Sequence, residues 1–165
     1  MGKFDENIGQ LTDSAAGRHL YNGRMTSIPC SPNGPSSEES AGFAVAGQFI
    51  DGIAARDFDA VAGTLTDDVA FRALLPRRVV ELVGRSEARA MFDTWFGAAE
   101  RWELVEAVIG EVGGRIHLRW RVRLTNPKVG PGTFVVEQQM YADPGVDGRL
   151  RNIALLCTGF LPEAS

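Results

Sequence analysis

Residues 115 to 124 read RIHLRWRVRL, and the fold turns on their order. Arg115, His117, Arg119, Arg121 and Arg123 hold every second position, with Ile116, Leu118, Trp120, Val122 and Leu124 between them. A period of two over ten residues sends the two sets to opposite faces of a β-strand, one basic and one apolar. The strand therefore belongs to a sheet with a core on one side. Either face could carry function: the basic one as a nucleic-acid stripe, or the apolar one as the wall of a pocket.

Charge decides against the stripe. The chain has 17 Lys and Arg against 21 Asp and Glu, a formal net charge of -4 and a pI near 5.2, so it exerts no long-range pull on phosphate backbones. Hairpins drawn symmetrically about the strand place Glu106 and Glu137 beside Arg121. The arginines then read as a solvated ladder of cross-strand pairs, each worth about 0.2 to 1 kcal/mol. Nucleic acid is not an expected partner.

Downstream the pattern is strand after strand, over residues 102 to 112, 114 to 125, 133 to 142 and 149 to 159. The separators GG, NPKVGPG and DPGVDG are turn-rich and imply antiparallel hairpins. Upstream, Phe43, Ala46, Phe49, Ile50 and Ile53 recur at helical spacing, and Asp57 reads as the cap of a short helix carrying Val61 and Leu65. VAFRALLP and RVVELVG follow as strands, and Ser86 is expected to cap a third helix burying Ala88, Met91, Phe92, Trp95 and Phe96. Helices first and a meander afterwards predict an α+β domain with helices on one face of a bent sheet.

The 165 residues, 44% of them hydrophobic, suffice for one domain with a real core. Residues 1 to 38 are rich in Gly, Ser, Pro and Asn without sustained periodicity. They are expected to form a flexible arm, dispensable for folding, before a domain over 39 to 163. Met25 stands where a second start would fall, so the first 24 residues are also readable as a leader. Cys30 and Cys157 lie far apart and outside any CxxC pattern, which suits a reducing, cytoplasmic setting. No run of 18 apolar residues is present, and no membrane partner is expected.

The run FIDGIAARDFDAVAGTLTDDVAFRA, residues 49 to 73, with ELVGRSEARAMFDTWF and DGRLRNIALL further on, resembles the nuclear transport factor 2-like superfamily. That group includes ketosteroid isomerases, limonene epoxide hydrolases and SnoaL-like polyketide cyclases. The resemblance spans about residues 42 to 161 and implies a cone in which a strongly bent, mostly antiparallel sheet wraps three helices around a pocket. It implies that Trp120, Val122 and Leu124 face that pocket and the arginines face out. Relatives often dimerise through the outer side of the sheet, so a homodimer is expected there.

Matching residues to the isomerase branch puts its tyrosine donor on Phe49, its carboxylate base on Ala73 and its oxyanion-hole acid on Gln138. Phe and Ala cannot take a proton, so steroid-type enolisation is not expected. The Asp, Arg, Asp group of the epoxide hydrolases falls on Val122, Trp120 and Leu155, and that mechanism is missing too. The remaining wall consists of Trp120, Val122, Leu124, Phe134, Val136, Met140, Ile153, Leu155 and Cys157, with Phe49, Ala73 and Trp95 from the other elements. Gln138 is its one polar member and the candidate catalytic residue. A dry, unpaired amide costs about 1 to 3 kcal/mol, so Gln138 needs a partner: Trp120 across the hairpin, a water, or a ligand.

Other candidates are weaker. Asp67 and Asp68 fall in a turn, His117 faces outward and His19 lies in the arm, so no metal site is expected. Cys157 has no His beside it to lower its pKa and reads as a small core residue. Glu81, Asp93 and Glu100 fall where they could reach a pocket mouth. Two functions follow. One is a cofactor-free cyclase or isomerase of a lipophilic polyketide- or terpenoid-like substrate, working by shape and a hydrogen bond from Gln138. The other is a non-catalytic binding or assembly protein with a filled cone. A cavity of roughly 300 Å³ or more favours the first.

Overall fold

The computed structural model describes residues 37–163. The expected arm, with His19, Met25 and Cys30, lies outside the described residues.

The apolar spacing after Ala41 builds helix α1, Ser37–Ala55, which starts earlier than the sequence pattern and buries Val45, Ala46, Phe49, Ile50 and Ile53. Phe43 is only half-buried. Helix α2, Phe58–Gly63, begins where Asp57 predicts: the Asp57 carboxylate accepts the N–H groups of Asp59 at 3.1 Å and Ala60 at 2.9 Å. Such a cap stabilises a helix by about 1 kcal/mol.

Strands β1, Ala70–Leu75, and β2, Arg78–Val83, form a hairpin closed by Pro76 and Arg77. Helix α3, Arg85–Phe96, buries Ala88, Met91, Phe92 and Phe96. Its cap corrects the sequence reading: Gly84, with φ 107°, holds the N-cap position, and Ser86 lies inside the helix. The chain is pinned there by main-chain bonds from Gly84 N–H to Val69 C=O and from Arg85 N–H to Asp67 C=O, so no side-chain cap is needed to fix the entry.

Strands β3, Arg101–Val112, β4, Arg115–Thr125, β5, Phe134–Pro144, and β6, Leu150–Cys157, form an antiparallel meander. Gly113 and Gly114, with φ of 59° and 76°, make the β3–β4 turn. Positive φ at both central residues is the two-residue hairpin geometry that glycine permits. The seven-stranded sheet runs β2-β1-β6-β5-β4-β3, and the short β7, Leu161–Pro162, adds to the start of β5. β1 joins β6 in parallel, bringing the first hairpin beside the last long strand. Two bulges bend the sheet. An extra residue, Val105, sits opposite the Val122–Arg121 step, and the β6 register slips by one near Asn152, whose φ is 49°. Helices α1 and α3 pack on one face, so the molecule is α+β with a curved, unclosed, mostly antiparallel sheet around its helices.

Candidate functional site

Alternation in β4 and β5 is unbroken. Ile116, Leu118, Trp120, Val122 and Leu124 are buried, as are Phe134, Val136, Gln138, Met140 and Ala142 opposite them. The two hairpins place Trp120 directly across from Gln138, and Gln138 directly across from Cys157. Paired residues share a face, so these three side chains form one row across the helix-covered side of the sheet.

Two of the three carry polar atoms with no partner. The Trp120 Nε1–H and both amide atoms of Gln138 are buried and make no hydrogen bond; each residue is 1% exposed. Register neighbours are thus not bonded neighbours, and Trp120 does not satisfy Gln138. Trp102 shows the ordinary arrangement, its indole donating to Ile53 C=O at 2.8 Å. Phe49 packs on Trp120 with ring centroids 5.5 Å apart. Leaving a buried polar group unpaired costs about 1 to 3 kcal/mol, and this row holds three of the four such side-chain atoms among the described residues, the fourth being Thr66 Oγ1.

Cys157 ends the row. Burial pushes its thiol up, opposed by the Gly159 backbone N–H, which donates to the sulfur at 3.4 Å, and weakly by the nearby Gln138 amide. The thiol is therefore protonated at neutral pH and a poor nucleophile. It also forms the floor of a cavity of about 190 Å³ with Val136. The sides come from Trp95 and Phe96 of α3, Phe160 and Gly159 after β6, and Leu75, Pro76 and Arg78 of the first hairpin. Gly159 sits so close that a Cβ there would lie 2.8 Å from Pro76 Cγ. Val136 and Gln138 are successive inward residues of β5, and Gln138 does not line the cavity but pairs in register with Cys157, which does.

The expected wall separates into two parts. Trp95, Val136 and Cys157 line the cavity. Phe49, Ala73, Trp120, Val122, Leu124, Met140, Ile153 and Leu155 are packed into the core at 0 to 2% exposure, and Phe134 is buried near the rim, its ring 6.3 Å from Phe160. Leu75, Arg78 and Phe160 were not singled out in the sequence. They sit in or beside turns, where no periodicity marks a direction.

Of the acidic candidates, Glu81 pairs with Arg72 at 3.2 Å and Asp67 with Arg85, and neither Asp93 nor Glu100 lines the cavity. Among the described residues, no group of three His, Cys, Asp or Glu side chains could hold a metal ion.

On the outer face of β4 every arginine is paired. Arg119 and Arg121 each pair with both Glu106 and Glu137, Arg123 with Glu103 and Glu163, and Arg115 with Asp143. His117 stacks on Tyr141 at 4.7 Å and meets the Gln139 amide at 2.9 Å. The basic stripe is thus a mixed-charge lattice.

A bent, unclosed sheet around three helices, with a cavity opening between α3 and the first hairpin, is the architecture of the nuclear transport factor 2-like proteins. Residues 46–148 match the model of the SnoaL-like domain, and the chain belongs to that family. Solved structures agree on the fold. A candidate polyketide cyclase of Xanthomonas campestris pv. campestris is 18% identical, with a TM-score of 0.59 over 73% of this chain and 92% of that one. A ketosteroid isomerase-like protein of Erwinia carotovora atroseptica is 19% identical, with a TM-score of 0.52 over 77% of this chain and 99% of that one. An LEH-like epoxide hydrolase of M. tuberculosis is 16% identical, with a TM-score of 0.52 over 72% of this chain and 83% of that one. No curated protein matches the chain. Three differently named relatives at similar likeness define a fold and leave the chemistry to the site.

Proposed function

We propose that this chain is a small-molecule pocket protein that takes a lipophilic carbonyl compound, with Trp120 and Gln138 as hydrogen-bond donors to its oxygen. One observation carries the reading: three buried polar atoms without partners in one row, whose last residue, Cys157, lines an apolar cavity. A ligand oxygen reaching past Val136 and Cys157 would accept from both donors and relieve the cost of their burial.

The catalytic form of this reading is a cofactor-free cyclase or isomerase of a polyketide- or terpenoid-like substrate. Arg78 and Cys157 are the only ionisable groups lining the cavity, and neither suits general acid–base work near neutral pH. Catalysis would rest on folding the substrate and polarising its carbonyl. The cavity volume supports a second reading. About 190 Å³ is below the roughly 300 Å³ at which ligand pockets begin, and most of the wall is packed core. That favours a binding protein for a small ligand over an enzyme acting on a large one. The outer groove of about 380 Å³ beside exposed Leu74 and Leu156 supports a homodimer through that face.

Calorimetric titration with butyrophenone, an uncharged aryl ketone, tests the reading. Wild type should bind it, and Gln138→Leu should weaken binding by about 1 to 2 kcal/mol, the worth of one hydrogen bond. Equal affinity in wild type and variant, or no binding by wild type, contradicts the proposal. Exchange of the ketone's α-protons in D2O should stay at the uncatalysed rate, because the cavity holds no base; acceleration would restore enolisation.

A further inference from the structure

We propose that the cavity selects ligands carrying a carboxylate at the end opposite the carbonyl, and that Arg78 is the residue that selects them. The inference rests on the pocket reading above and specifies its substrate class: a lipophilic keto acid, carbonyl inward and carboxylate at the rim.

The argument begins with charge. The cavity lining contains no Asp or Glu, and Arg78 is its one cation. Eight other arginines among the described residues, Arg72, Arg85, Arg89, Arg115, Arg119, Arg121, Arg123 and Arg149, are engaged by carboxylates, while Arg77, Arg101 and Arg151 make no ion pair and line no part of the cavity. Arg78 makes no ion pair or side-chain hydrogen bond among the described residues. Arg78 is the one of these unpaired guanidinium groups that lines the apolar cavity.

The backbone places it there. Leu75 and Arg78 are the last pair of the β1–β2 hairpin, and the two residues between them are Pro76 and Arg77. Proline at the first turn position and a positive φ at the second, 72° at Arg77, give a type II turn, which ordinarily prefers Gly or Asn at that second position. This chain carries a second arginine there despite the strain. Pro76 packs closely against Gly159, and both line the cavity, so the turn that carries Arg77 is anchored there.

The chemistry follows from the two ends. Gln138 and Trp120 hold unpaired N–H donors in the row that ends at Cys157, which suits a neutral carbonyl oxygen. Arg78 presents a planar, permanently charged fork to solvent at the mouth, which suits a carboxylate bound in bidentate fashion. Trp95, Phe96 and Phe160 lie between and suit an apolar or aromatic middle.

The test compares 4-oxo-4-phenylbutanoate with its methyl ester by calorimetry on the full chain. The acid should bind wild type about fivefold tighter than the ester, and added salt should shrink that preference, since the pair is exposed. Arg78→Gln should abolish the preference while leaving ester affinity within twofold of wild type. Arg77→Gln, outside the lining, should keep most of it. If ester and acid bind wild type equally, or Arg78→Gln weakens both alike, the selection of carboxylates is wrong while the pocket reading stands. If neither compound nor butyrophenone binds, both proposals fall.

Discussion

The two faces of the same strands solve the problem of polar groups in opposite ways. On the outer face of β4, every arginine has found a carboxylate, in a lattice where Arg121 touches Glu106 and Glu137 at once. On the inner face of the same strand and its neighbour, Trp120 and Gln138 bury polar atoms that make no hydrogen bond. A surface whose polar groups are all paired needs no ligand, whereas an interior with unpaired donors is incomplete by itself. On the proposed reading, function lies on the inner side of the sheet and the arginine stripe is structural.

The largest effect should come from the packed part of the interior. Phe92 is fully buried with Phe49, Phe58, Phe71 and Trp95 at ring-centroid distances of 5.8 to 6.1 Å. Phe92→Ala should cost about 3 to 5 kcal/mol in urea unfolding. A loss below about 1 kcal/mol would mean that this part of the cone is loose and that its wall is available to ligands.

Outer-face pairs should matter less. Arg121→Ala should cost about 0.5 to 1 kcal/mol at low salt and less at high salt, because both partners are roughly a third exposed. A double-mutant cycle with Glu137→Ala measures the pair directly. A salt-independent loss of several kcal/mol would show that the lattice is buried in an assembly, which would strengthen the case for a homodimer.

The Asp143 cluster should give a small acid dependence. Burial raises its pKa, but hydrogen bonds from Asn152 and Arg115 with the Arg115 charge outweigh this and leave it below the usual carboxylate range. Its folded pKa is therefore lower than the unfolded value of about 3.9. The stabilisation is complete above the unfolded pKa and lost as pH falls through the folded one. Asp143→Asn should flatten the stability profile below about pH 4, measured by thermal melts. An unchanged acid limb would place the pH dependence elsewhere.

Legibility in the sequence followed periodicity. Ten alternating residues were enough to give β4, its two faces and, through symmetric hairpins, the pairing of Arg121 with Glu106 and Glu137 and of Trp120 with Gln138. Asp57 announced α2 because a cap is a local event. What escaped depends on distance or on single residues. The parallel β1–β6 pairing joins segments about 80 positions apart, from Phe71 to Ile153. The bulges at Val105 and Asn152 each shift a register without disturbing composition. The cavity mouth escaped for the same reason, since Arg78 and Phe160 are placed by turns and packing. Gln138 was legible as the odd polar residue of an apolar wall, but its lack of a bond to Trp120 is a matter of side-chain direction that spacing does not encode.

The central claim, that the interior keeps unpaired polar atoms for a ligand rather than for the fold, is tested most directly by the stability of Gln138→Leu in the absence of any ligand. Removing an amide that bonds to nothing should leave the unfolding free energy unchanged or raise it by about 1 kcal/mol. A loss of about 3 kcal/mol or more would show that the amide is bonded in solution and serves the core, and the contrast between the two faces would disappear.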